Sequence, residues 1–486
     1  MLSVTCRGCA RHRTKVRVEP LAGAGTIRQM RDNTSHSSPD IGARHPGALG
    51  WLLLAVAALG LSAAMALLLV AARTPGVATL LAGRIAFAEA LVLHVNLSVL
   101  VWCLALAGLL WVWRRPVVGR LGDVPLGMAG GGALLMLLSP LVGGTTPVVL
   151  SNYVPVLDQS AFLVGLALFA AGMAAAAARF VVLAWPRRWP TTLGAVLDLG
   201  LCGVAISVLM AGAVLLLALA ELPRGLPVAV YYERLFWGAG HVLQLAYAQL
   251  LGVVWLWLAA QGGGRWALPS SHVAGWLLAG WLPTLAALVI AVALPVLAPR
   301  QAQAFTLLMV VGGWWLLLPA LAIGLRGRRA VPLAARLTLA LSLGLYLLGA
   351  LLGSLIRGDT LLVPAHYHAV TGAVTLALMG GVYTLLPHLG GRRLATRLKT
   401  WQLGLYASGV ALMALGLAWS GIHGGVRKTP GAPVDEMALA GMAMMGVGGM
   451  AAIVGVFGFV ALLWLALGAR RGVPAALPQS PDGKRG

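Results

Sequence analysis

Long apolar runs alternate with short polar connections along most of this chain. Runs of spanning length fall at about 50–72, 84–112, 126–149, 158–184, 193–221, 229–261, 272–298, 303–325, 333–356, 363–388, 400–420 and 437–468. A bilayer core about 30 Å thick is crossed by roughly 20 helical residues, and each run is that long. In hydrocarbon every backbone N–H and C=O needs an internal partner, so such runs form helices. The pattern predicts an all-α, polytopic membrane protein with about twelve transmembrane helices. Residues 1–45 and 471–486 lack apolar periodicity and read as a disordered basic tail and a second solvated tail around a 46–470 membrane domain.

The connections differ in charge. One set carries Arg114, Arg115 and Arg120; Arg187 and Arg188; Arg265; Arg326, Arg328 and Arg329; and Arg392, Arg393, Arg397 and Lys399. The opposite set carries Arg73, Arg224, Arg300, Arg357 and the pair Arg427–Lys428. Cationic loops stay on the cytoplasmic side. Both termini are therefore expected in the cytoplasm, with odd helices running outward and even helices inward across a bacterial-type inner (plasma) membrane. The N-terminal stretch has no apolar core of a cleavable signal peptide.

Composition agrees. Hydrophobic residues make up 60% and charged residues 10% of the 486, and mean hydropathy is +0.89, which excludes a soluble domain. The net charge of +22 follows from the loop cations; no basic patch with interleaved aromatics points to nucleic acid. Cys103 and Cys202 lie inside apolar runs as packing residues, while Cys6 and Cys9 form a lone CxxC in the N-terminal tail. No disulfide is implied.

Four of the ten histidines stand out. His94 falls in the second run, His241 in the sixth, and His366 and His368 in the tenth, each in the first half of an inward-running helix. They share one outer layer of the membrane. An imidazole in hydrocarbon is costly unless paired or ligated. A single one is readily satisfied by a helix carbonyl; four in one layer point to metal or heme ligation. Residues i and i+2 on a helix point about 200° apart. His366 and His368 therefore face opposite sides and can serve two separate cofactors, as axial ligands to flat macrocycles.

"DTLLVPAHYHAVTGAVTLALMGGVYTLLP" closely resembles the tenth-helix signature of subunit I of the heme-copper oxidase superfamily, in which an HxH pair holds two hemes. "ERLFWGAGHVLQLAY" resembles its sixth-helix motif, and "EALVLHVNLSVLVW" places His94 at its second-helix heme position. "GIHGGVRKTPGAP" resembles the outer loop before helix 12, and "LSNYVPVLDQSAF" the stretch joining helices 3 and 4. The resemblance covers roughly residues 46–470 and implies a subunit I-like bundle. It makes His94 and His368 the axial ligands of a low-spin heme and His366 the single protein ligand of a high-spin heme. His241 becomes a ligand to a second metal, and Arg427 and Lys428 partners of the heme propionates. His241 and His366 are thus the implied catalytic pair. Electrons would come from cytochrome c or a quinol, through a separate donor subunit, since no CxxCH motif is fused here. The gas at the high-spin heme would be oxygen by default, or nitric oxide.

The chain departs from that pattern at the second metal. The two adjacent histidines of the family's seventh helix would fall near Ala293–Leu297, where there are none. His272 begins the same run about 30 Å away and is no substitute. Glu233, Gln244, Tyr231 and Tyr232 are further donors, yet nothing forces them together, so a site for copper or non-heme iron is incomplete. Leu245 stands where the family has a cross-linked tyrosine, and Leu243 replaces a glutamate. Thr338, Ser342, Tyr346 and Ser354 form either a polar stripe or a set of local backbone bonds. Little or no proton pumping is expected. Three readings follow: a divergent respiratory oxidoreductase, with nitric oxide reductase-like activity as a variant; a non-catalytic two-heme gas sensor or electron relay; and a transporter with a histidine proton relay, which the HxH and LFWxxGH motifs disfavour.

Overall fold

A computed structural model describes residues 46–73, 87–117, 119–142, 147–263, 266, 268–315, 330–427 and 435–468. The chain divides into Met1–Ile41 and Gly42–Gly486, and all described residues belong to the second unit. Both tails, the Cys6/Cys9 pair, Arg265, Arg326, Arg328, Arg329 and Lys428 lie outside them.

Twelve helices follow the expected runs: α1 Pro46–Arg73, α2 Phe87–Arg114, α3 Arg120–Leu138, α4 Ser160–Ala184, α5 Leu193–Glu221 and α6 Val228–Ala259 in the first half. The second half holds α7 Ser270–Ala293, α8 Pro299–Trp315, α9 Leu333–Ser354, α10 Leu362–Leu385, α11 Thr396–Ile422 and α12 Glu436–Gly468. Among the described residues, eleven are long and apolar enough to cross a membrane. The eighth is described only as far as Trp315. The protein is a multi-pass membrane protein.

Prolines set several starts: Pro227, Pro269 and Pro332 are the N-caps of α6, α7 and α9, where a missing N–H removes no helical bond. Gly390, at φ 76°, ends the short turn after α10, a left-handed conformation suited to glycine. Between α3 and α4, β1 (Val148–Val149) pairs antiparallel with β2 (Val156–Leu157), Val148 facing Leu157, and the turn between them presents Ser151–Tyr153.

Three helices form the centre. The most apolar windows of α2, α6 and α10 are 83%, 89% and 83% buried, against 28–56% in the other eight spans. These are the helices that carry His94, His241, His366 and His368. Lipid does not drive helices together, so close approach depends on small residues and polar links. α11 and α12 meet at Gly409, Gly416, Gly441 and Gly448, where any Cβ would overlap the facing backbone. At one end of the bundle, Arg114 and Arg115 both bind the buried Asp198 of α5 at 2.7 Å. α7 breaks at Gly280, and Gln249 of α6 donates to the Gly280 carbonyl at 3.0 Å.

Candidate functional site

The four intramembrane imidazoles have different surroundings. His94 and His368 line one cavity of about 310 Å³, within the ordinary range for ligand pockets. Its walls come from α1, α2, α6, α10, α11, α12 and the α3–α4 connection, and include Ser62, Tyr153, Tyr247, Tyr406 and Arg427. His94 Nδ1 lies 3.1 Å from the Ser62 carbonyl and 3.0 Å from its Oγ. Ser62 Oγ in turn donates to the His94 carbonyl at 3.1 Å. His368 Nδ1 lies 2.7 Å from the Pro364 carbonyl, one turn earlier. A ring N–H given to a carbonyl at Nδ1 places the lone pair on Nε2 and fixes ring orientation, the usual preparation of a metal-ligating imidazole.

Two residues after His94 the helix widens into a π segment, Asn96–Val101. Such bulges are rare and concentrate at functional sites. Asn96 is held across it, its Nδ2 donating to Val92 at 2.9 Å and to Pro155 at 2.8 Å. α2 is thereby tied to the α3–α4 connection beside the cavity.

His366 points elsewhere. Its Nδ1 lies 2.7 Å from the Gly349 carbonyl of α9. A Cβ at Gly353 would sit 2.6 Å from that nitrogen, so α9 passes close under the ring. His366 does not line the cavity that His368 lines. The two imidazoles thus serve different flanks of α10, as their two-residue spacing requires.

His241 is closed in. Nδ1 lies 2.7 Å from the Trp237 carbonyl and Nε2 is 2.9 Å from the Tyr153 hydroxyl. With the Nδ1 proton donated, Nε2 accepts from the phenol, and both nitrogens are used. Trp237 and Phe305 flank the ring at centroid distances of 5.1 and 5.9 Å. A Cβ at Gly240 would overlap the Tyr153 ring. Of the other donors considered for a second metal, Glu233 and Tyr232 already have partners and Gln244 lies elsewhere. Glu233 accepts from Asn152 N at 2.9 Å and Nδ2 at 2.5 Å, Tyr232 donates to Asp158 at 2.6 Å, and Gln244 lines the His94–His368 cavity. Among the described residues no group of three or more His, Cys, Asp or Glu is placed to hold a metal ion. The described residues around His241 do not fit a second metal.

Arg427 lines the cavity rim and binds Asp359 Oδ1 through Nη2 at 2.6 Å and Nε at 3.1 Å. Its Nη1 donates to Asn152 Oδ1 at 2.8 Å. The guanidinium is 17% exposed and Asp359 80%. A fixed cation at the rim of an apolar cavity suits the carboxylates of a macrocycle. Tyr153 lies beside this rim. Burial, and then the charge of Glu233, push its phenol above the usual range, with Arg427 opposing, so it stays a donor to His241 at neutral pH.

The α9 stripe divides between local and interhelical bonds. Thr338 donates to Ala334 at 2.8 Å and Ser354 to Leu351 at 2.7 Å within their own helix. Ser342 donates to Ala373 of α10 while accepting from Trp255, and Tyr346 donates to Gly313 of α8. The bonds of Ser342 and Tyr346 staple helices together.

Ser62, the π segment, and the bonds of Tyr153 to His241 and of Asp359 to Arg427 are the features that motif reading missed. Asp359 had a visible signal, as a lone carboxylate at the mouth of the tenth run. Ser62 had none, because pairing between α1 and α2 is not written in either run.

The fold and these histidines define a polytopic helical membrane protein with imidazoles gathered at its centre. The chain belongs to the family described as cytochrome c and quinol oxidase polypeptide I, whose model matches residues 48–457. An uncharacterised protein of Rickettsia prowazekii is 27% identical over 491 aligned positions, covering 84% of this chain and 94% of that one. One from Aquifex aeolicus is 28% identical, covering 70% and 84%. Cytochrome c oxidase subunit 1 of Thermus thermophilus is 40% identical over 68 residues, 13% of this chain and 12% of its own. The fold matches a heme-copper terminal oxidase dimer solved by cryo-EM with a TM-score of 0.68 at 15% identity, covering 91% of this chain and 86% of that one. The chain is a respiratory oxidase-like subunit, and its family implies heme cofactors.

Proposed function

We propose that the chain is a heme-bearing respiratory oxidoreductase subunit in which His94 and His368 hold a low-spin heme. Bound heme supplies one-electron iron chemistry. The chain's own residues prepare for it: Ser62 and Pro364 orient the two imidazoles, the apolar walls exclude water, and Arg427 offers charge to the propionates at the rim. Lys428, outside the described residues, is assigned to the same task by the family motif. His366, with Nδ1 given to Gly349, presents Nε2 on the other flank of α10 to a second, high-spin heme open to a gas, oxygen by default. Electrons arrive from a cytochrome c or quinol donor, through a separate subunit, and little or no proton pumping accompanies them. The observation that carries this reading is the shared cavity between His94 and His368, each with its Nδ1 fixed by a carbonyl.

A second reading, a two-heme electron relay or gas sensor, is favoured by one observation: both nitrogens of His241 are already used. Nitric oxide reductase-like activity needs a second metal too and meets the same obstacle. Metal quantitation with oxygen uptake on the purified protein separates the readings. Two hemes with a stoichiometric extra metal and turnover support the oxidase. Two hemes, no extra metal and no turnover support the relay. A protein without heme removes both.

A further inference from the structure

A second feature, at the opposite end of α10 from its histidines, concerns lipid. Arg392, Arg393, Arg397 and Lys399 fall within eight residues across the α10–α11 connection and the start of α11. The three arginines are exposed. The Arg392 backbone N–H donates to the Ala466 carbonyl at 3.0 Å, which fixes this connection against the last turn of α12. No carboxylate occurs in residues 386–404 or 455–468, and the first turn of α11 has no acidic residue. Among the described residues none of the four cations has an ion pair within 4 Å.

Two tryptophans mark the level of the membrane surface here. Trp401 is 69% exposed and Trp464 65% exposed. Trp401 is five residues inside the start of α11 and Trp464 four residues inside the end of α12, depths of about 7 and 6 Å at 1.5 Å per residue. The helices are antiparallel neighbours, so the two indoles lie at one height, as residues of an interfacial belt do. Arg397 precedes Trp401 by four residues, on the same face and one turn outward. Leu398, Leu405 and Leu465 are exposed around them, an apolar surface for acyl chains. The arrangement puts indoles at glycerol depth and guanidinium groups at phosphate depth.

We propose that the end of α11 and α12 marked by Trp401 and Trp464 binds an anionic phospholipid, its phosphate held by Arg393, Arg397 and Lys399. Uncompensated cations beside the positive end of a helix dipole are destabilising until an anion joins them, and juxtamembrane cations each add to the affinity for anionic headgroups.

The test uses the full chain in nanodiscs of equimolar phosphatidylcholine and phosphatidylglycerol, extracted and examined by native mass spectrometry. Wild type should retain phosphatidylglycerol in excess of phosphatidylcholine. Arg393→Gln with Arg397→Gln should lower that excess by about fivefold for each cation removed. The Lys pair at the same positions should restore it. The comparison pair Arg187→Gln with Arg188→Gln, which removes the same charge elsewhere, should leave it unchanged. An unchanged far-UV circular dichroism spectrum and melting temperature confirm that each variant is folded. Equal retention of the two lipids by wild type, or equal loss in both Gln pairs, overturns the site.

Discussion

His94 and His241 are both central, membrane-embedded imidazoles on neighbouring helices, yet their hydrogen bonds give them opposite chemistry. His94 bonds Ser62 through Nδ1 and lines a cavity. His241 bonds Trp237 through Nδ1 and Tyr153 through Nε2, under a tyrosine ring that fills the space beside Gly240. One ring lines a cavity; the other has a partner at each nitrogen. Residue type and depth do not distinguish them. The partner of the second nitrogen does, and that partner comes from a connection far away in sequence.

Substitutions of the histidines should break the contrast most visibly. His368→Ala should remove the low-spin heme signal and His366→Ala a different, high-spin signal, read in reduced-minus-oxidised spectra. His241→Ala should leave the low-spin signal in place. A loss of the same bands in all three would erase the distinction drawn between them.

Arg427→Gln should have the next largest effect. Charge-assisted hydrogen bonds are worth about 1.5–3 kcal/mol, so heme should dissociate about 10- to 100-fold faster, measured by transfer to an apo-globin acceptor. Asp359→Asn should slow dissociation or leave it unchanged, because it frees the guanidinium from a competing carboxylate.

Tyr153→Phe removes one hydrogen bond from His241 and should cost about 1 kcal/mol of stability, with the low-spin spectrum unchanged. The same pair sharpens the pH behaviour. The folded phenol is raised, so below about pH 10 the proton is bound in both folded and unfolded chains and contributes no pH dependence. Above that, the unfolded chain releases it first and stability falls as pH rises. The difference in phenolate absorbance between wild type and Tyr153→Phe should show Tyr153 un-ionised at the ordinary tyrosine midpoint. Ionisation at that midpoint would contradict its burial.

Ser62→Ala should have the smallest effect, under about 1 kcal/mol, since the Ser62 carbonyl still accepts from His94. A small shift of heme potential with retained low-spin character is the expected result.

The helices were legible because each apolar run is longer than a bilayer is thick, and the positions of His94, His366 and His368 followed from the runs and the HxH spacing. The opposed directions of His366 and His368 needed only the helical turn. Less was readable where long-range pairing decides. Nothing in "HVNLSVLV" signals the π segment at Asn96–Val101, because an added residue per turn reflects packing against the α3–α4 connection. Tyr153 was visible as a motif residue, but its bond to His241 depends on how that connection folds over α6. Arg427 was assigned to the heme propionates from the motif, whereas its ion pair with Asp359 depends on the isolated pairing of Thr360 with Val426.

The central claim is that one heme sits between His94 and His368. Its most direct test is the reduced-minus-oxidised optical spectrum of the full-length protein, purified from cells supplied with heme, beside His94→Ala. The wild type should show a Soret band and a sharp low-spin α band, with the α band lost in the variant. A wild type with no Soret band, or two identical spectra, would contradict it.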